Sequence, residues 1–64
     1  MSIPVGLSSA SLMPSGVENT FALASELGYD GVEVMVWSER ATQDSRILSA
    51  LSERHGQPVL AVHA

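Results

Sequence analysis

Three short apolar segments begin near residues 3, 31 and 58 of this 64-residue chain, at intervals of 28 and 27, with a helix-like stretch closed by glycine between each pair. That alternation constrains the fold more than any single motif. In the first segment Ile3, Val5 and Leu7 alternate with Pro4, Gly6 and Ser8, the period of two expected of a strand over residues 3–8. Val17, Phe21, Ala24 and Leu27 then recur at helical spacing. Gly28 follows them, where a residue able to take positive φ ends a helix, so a helix is expected over about 16–27. Ser15, three residues before Glu18, predicts a capping box at its start. Beyond the Asp30-Gly31 turn, the β-branched and aromatic run 32–37 reads as a second strand covered on both faces. Ile47, Leu48 and Leu51 mark a second helix that ends near His55 and stops at Gly56, and Val59 to His63 forms a third strand behind Pro58.

Each crossover contains a helix, so the strands are expected to be parallel with right-handed connections: an α/β chain of βαβαβ order. An open doubly wound sheet and part of a (β/α)8 barrel both fit. The repeat of 27 to 28 residues lies close to the roughly 31 per unit of a barrel of about 250 residues, which makes this chain about two and a half units. The connections leaving strands, 9–15 and 38–43, are long and polar, while those near Gly28 and Gly56 are short. Elaborate loops thus gather at the strand C-terminal ends, where both architectures place their sites. Long polar loops are also ordinary solvent-exposed connections.

Composition removes several classes of function. Seven carboxylates against three arginines and no lysine leave a net charge of −4, with no basic face for nucleic acid. The longest apolar runs, Val34 to Trp37 and Val59 to Val62, are far short of the about 20 residues of a membrane span. The opening Met1-Ser2-Ile3-Pro4 lacks the basic start and apolar core of a secretory signal, which leaves the cytoplasm as the expected location. There is no cysteine, hence no disulfide, thiolate metal site or thiol nucleophile in this segment. Neither a Gly-x-Gly-x-x-Gly nor a Gly-x-x-x-x-Gly-Lys motif is present, and no metal-ligand pair occurs at helical spacing. A chain this short buries only about 60% of its unfolded surface, so a further surface must supply stability.

Alternation splits each strand into two faces. Ile3, Val5 and Leu7 on the first strand, Val32, Val34 and Val36 on the second, and Leu60 and Val62 on the third make aliphatic sets suited to the helices. The opposite set holds Ser8, Glu33, Met35, Trp37 and His63, which would face a barrel interior, with Ser8, Trp37 and His63 near its mouth. A carboxylate inside an apolar strand must be paired, protonated or exposed. Glu33 therefore reads as an ion pair with a cation from a later strand, as an edge residue, or as a ligand contact. His63 can ligate a metal, move a proton, hydrogen-bond a hydroxyl, or serve structure alone. Trp37 suits stacking on a sugar or plain packing. Ser8 has no base at a readable spacing, His55 suits the C-terminal dipole of its helix, and Met13 and Met35 read as gap fillers.

The stretches Val5-Gly6-Leu7-Ser8, Ala24-Ser25-Glu26-Leu27-Gly28-Tyr29-Asp30-Gly31-Val32-Glu33-Val34-Met35 and Val59-Leu60-Ala61-Val62-His63-Ala64 resemble the N-terminal units of the xylose isomerase-like barrels. That superfamily includes sugar phosphate isomerases and epimerases, and endonuclease IV. The resemblance covers nearly the whole chain, and the helix-Gly-Tyr-Asp-Gly-Val-Glu stretch is its most specific part. It implies a (β/α)8 fold, of which this chain is an N-terminal fragment, and a divalent metal (Mn, Mg, Co or Zn) whose ligands lie mostly on later strands. The implied chemistry is proton transfer between adjacent carbons of a sugar or sugar phosphate, with the 64-residue piece inactive by itself. His63 matches the histidine after strand three that contacts substrate in many isomerase-like members, and in endonuclease IV the corresponding residue resembles a zinc ligand. Glu33 matches a strand-two glutamate that is pocket-lining or ion-paired. With Trp37 beside them, these are the expected substrate-binding residues, and no catalytic or metal-ligating residue is expected in this segment. Two alternatives stand beside this reading: a phosphodiesterase like endonuclease IV, and a non-catalytic βαβαβ module that buries its open sheet by homo-oligomerisation.

Overall fold

A computed structural model of the chain describes residues 3–12 and 16–63. The elements run β1 (Gly6–Ser8), α1 (Val17–Leu27), β2 (Gly31–Met35), α2 (Ser45–His55) and β3 (Val59–His63), with 3-10 turns at Ser9–Leu12 and Arg40–Gln43. The fold is α/β: one sheet in the order β1-β2-β3, with both strand pairings parallel. The two helices end as their glycines predict. Gly28 and Gly56 take φ of 80° and 63°, and the backbone N–H groups of Gly28 and Tyr29 return to the Ser25 and Ala24 carbonyls.

Register places the core. Leu7 pairs with Val32, Val32 with Val59, and Val34 with Val62, so these side chains share one face of the sheet. On that face Val32 and Val34 are fully buried against Val17, Phe21 and Ala24 of α1 and Leu48 and Leu51 of α2, with Leu7 and Val59 packed alongside. Both helices therefore cover the same side. The other side carries no helix among the described residues.

Four local features depart from the sequence reading. Regular pairing of β1 begins at Gly6 rather than Ile3, which is 84% exposed; ahead of it Val5 is held by Asp30, whose carboxylate accepts the Val5 N–H at 2.7 Å. The β2 ladder stops at Met35, followed by one further bond from the Val36 N–H to the His63 carbonyl. Trp37 belongs to the loop beyond, where buried Thr42 accepts its N–H at 3.1 Å. The start of α1 uses a different cap: both oxygens of Glu39 accept the Val17 N–H, at 3.0 and 3.2 Å. Glu18, expected in a capping box, instead reaches Arg54 at 2.7 Å; Ser15 and Met13 lie outside the described residues.

The fourth departure is a bulge in β3. Val59 opposes Val32 but Ala61 opposes Glu33, so Leu60 is an extra residue and the alternation breaks there. Val59, not Leu60, joins the core, while Val62 keeps the expected side. Leu60 instead occupies space left by two glycines: a Cβ at Gly31 would lie 2.7 Å from Leu60 Cγ, and one at Gly6 would lie 3.1 Å from its Cδ1. The absence of side chains at positions 6 and 31 is what admits a leucine on the helix-free face.

Candidate functional site

The helix-free face is built in rows that rise toward the strand C-terminal ends. Gly6 and Gly31 pair at the bottom, with Leu60 above them; next come Ser8, Glu33 and Ala61; Met35 and His63 pair at the top. Strand pairing thus brings Ser8, Glu33, Met35 and His63 onto one surface, as alternation predicts. It does not bring Trp37 there by strand geometry, because β2 has already ended. Trp37 is half-buried, and its backbone is held by Thr42 and by the Gln43 side-chain amide.

Glu33 finds its partner inside this chain. Its Oε1 lies 3.2 Å from His63 Nε2, and the two side chains are 40% and 52% exposed. An ionised carboxylate only accepts hydrogen bonds, so the imidazole donates from Nε2. Glu33 and His63 are 30 residues apart in sequence and come together only through the parallel register. Ser8 is the neighbour of Glu33 on β1, and its Oγ accepts the Ala10 N–H at 3.2 Å.

Two supporting residues escaped sequence reasoning. Ser9 is buried, and its Oγ accepts the Met35 N–H at 2.8 Å, tying the turn after β1 to the end of β2. Glu39 ties the loop after β2 to the start of α1. Neither carries a sequence signal, since a serine in a Ser-rich connection and a glutamate in a polar loop look like solvent-facing residues. Together they hold the two long loops at the mouth end of the sheet.

The pair supplies two donor groups, fewer than the four to eight that zinc, magnesium or calcium takes, and these donors are bonded to each other. Among the described residues no group of three or more histidines or carboxylates comes together. These side chains therefore do not by themselves fit a metal ion. What they can do is present a carboxylate-oriented imidazole to a hydroxyl or an anion.

On the helix side, a depression of about 640 Å³ gathers all three arginines of the chain, Arg40, Arg46 and Arg54. Asp44 stands 3.6 Å from Arg46 and Glu18 stands 2.7 Å from Arg54, so most of that charge is answered locally. His55 Nε2 lies 3.7 Å from Glu18, beyond hydrogen-bond reach, and is buried without a partner. No helix among the described residues is long and apolar enough to cross a membrane.

Fold and face together define an α/β chain whose parallel sheet is covered on one side and carries a carboxylate–imidazole pair on the other. The chain is 53% identical over 62 residues to an uncharacterized protein of Mycobacterium leprae, an alignment that takes in 97% of this chain and 22% of that relative. Uncharacterized proteins of Mycobacterium bovis and Mycobacterium tuberculosis match with the same identity and coverage. The chain thus spans about a fifth of the length of these curated relatives. No protein-family model matches it. No solved structure matches it either.

Proposed function

We propose that this chain is the N-terminal part of a cytoplasmic, metal-dependent sugar or sugar phosphate isomerase or epimerase of the xylose isomerase-like barrel type, and that its helix-free face lines the substrate pocket. The observation that carries the reading is the Glu33–His63 pair. It is a polar, oriented couple near the C-terminal ends of parallel strands, on the face a closing barrel would turn inward. Consecutive strand order and both helices on one side are the arrangement of neighbouring barrel units. The relatives' length also supports it: 62 residues at 22% coverage put them at roughly 280 residues, against about 250 for a typical barrel.

In this reading the metal ligands and the acid–base groups come from later strands, and the metal would stabilise charge on substrate oxygens. The present residues bind and orient. His63 hydrogen-bonds a substrate hydroxyl through the nitrogen that Glu33 does not hold, and Met35 supplies apolar wall. The reaction removes a proton from the carbon next to the carbonyl, forms an enediol, and returns a proton to the neighbouring carbon. A net charge of −4 and no lysine weigh against the phosphodiesterase alternative.

The test is proton exchange by the full-length protein, supplied with Mn or Mg in deuterated water, across a panel of aldoses, ketoses and their phosphates. Deuterium at the carbon adjacent to the carbonyl is expected for at least one of them. His63→Ala should lower kcat/KM about ten- to hundredfold, the size of a lost hydrogen bond to a charged or polarised group, while leaving the melting temperature in place. No exchange across the panel would overturn the reading.

A further inference from the structure

The carboxylate of Glu33 is seated by its surroundings. A Cβ at Gly6 would lie 3.2 Å from Glu33 Cγ and 3.4 Å from its Oε2, so the Glu33 stem lies over the bare backbone of β1. Leu60, displaced onto the same face by the bulge, fills the adjoining space over Gly6 and Gly31. With a glycine beneath it and a leucine beside it, Glu33 extends toward the row above, where Oε1 meets His63 Nε2. In the neutral imidazole the Nε2 proton is then committed to Glu33, and the lone pair is on Nδ1; in the imidazolium, Nδ1–H becomes a donor.

We propose that Glu33 is a positioning residue rather than a second substrate contact: seated on Gly6, it holds His63 by Nε2 so that Nδ1 is the nitrogen offered to a hydroxyl of the sugar. The ligand part rests on the pocket reading above, whereas the orientation of the ring by Glu33 does not. Its consequence is a one-way dependence. Removing Glu33 frees the ring, and once the ring is gone Glu33 has nothing left to position.

Two arms in the full-length protein test this. In a double-mutant cycle on sugar turnover, Glu33→Ala is expected to lower kcat/KM about tenfold, and the double variant with His63→Ala should fall within about twofold of His63→Ala alone. Glu33→Gln, whose Oε1 still accepts the Nε2 proton, should recover most of the loss. Multiplying losses in the double variant would overturn the proposal and make Glu33 an independent contact. The second arm needs no substrate: crystal structures should show the His63 ring fixed on Glu33 in the wild type and displaced or split between orientations in Glu33→Ala. An unmoved ring would also overturn it. If no sugar exchanges its proton but the ring is released, the proposed activity fails and the positioning role stands. Turnover with an additive cycle has the opposite meaning.

Discussion

Gly31 shows how much one missing side chain decides. A Cβ there would stand 2.5 Å from the Pro58 carbonyl oxygen and 2.7 Å from Leu60 Cγ, and the nearer of these is backbone that cannot swing aside. Gly31→Ala is therefore expected to destabilise the protein by about 1–3 kcal/mol, the range of overpacking in a tight interior, and to disturb the β3 bulge. Gly28 is the contrasting case. Nothing lies within 4 Å of a Cβ built there, and only its φ of 80° resists substitution, so Gly28→Ala should cost about 1 kcal/mol through backbone strain alone. Chemical denaturation of both variants in the full-length protein checks this, and an unaffected Gly31→Ala would remove the packing account of the bulge. Gly28 could be recognised from its place after a helical repeat. Gly31 looked like an ordinary turn glycine, because the atoms that crowd it belong to residues 27 and 29 positions later in the chain.

At the scale of the element, the start of α1 separates local from long-range capping. A serine and a glutamate three apart are the usual local device, yet Glu18 turns to Arg54 on α2, and Glu39 supplies the carboxylate from a loop 22 residues away. Glu39→Ala should cost about 1 kcal/mol, the typical loss of an N-terminal cap. Glu18→Ala should cost less than about 0.5 kcal/mol, since its ion pair with Arg54 is more than half exposed. Equilibrium unfolding midpoints for the two variants of the full-length protein decide the matter, and the reverse ranking would reinstate the local box. The second helix behaves locally: Asp44 accepts the Arg46 N–H at 2.9 Å as its cap, and basic Arg54 and His55 lie in its last turn. Strand β3 is intermediate, with its extent legible from its composition and its facing altered by the one-residue bulge at Leu60.

The molecule as a whole has one covered face. Among the described residues the core lies between the sheet and the two helices, while Glu33, Leu60 and His63 on the other side remain exposed or half-exposed. With about 60% of its surface buried at best and no disulfide, the 64-residue chain studied by itself is expected to unfold without a sharp cooperative transition and to bind hydrophobic dyes. Calorimetry with sedimentation analysis measures both. A cooperatively melting dimer would instead favour the self-associating module, with the open face buried between copies.

Periodicity and turn chemistry were enough to read the element order, the parallel sheet, the helix stops and the membership of Ser8, Glu33 and His63 in one face, because the stops depend on neighbours within a turn, parallel pairing on the helix in each crossover, and the shared face on alternation, which the bulge leaves intact from Ala61 to His63. The Glu39 cap, the Ser9 tie, the displaced Leu60 and the pairing of Glu33 with His63 were decided by tertiary structure. Each joins segments distant in sequence, the Glu39 cap by bringing a loop onto a helix start and the others through the register of parallel strands, which is set by packing across the sheet rather than by any local preference.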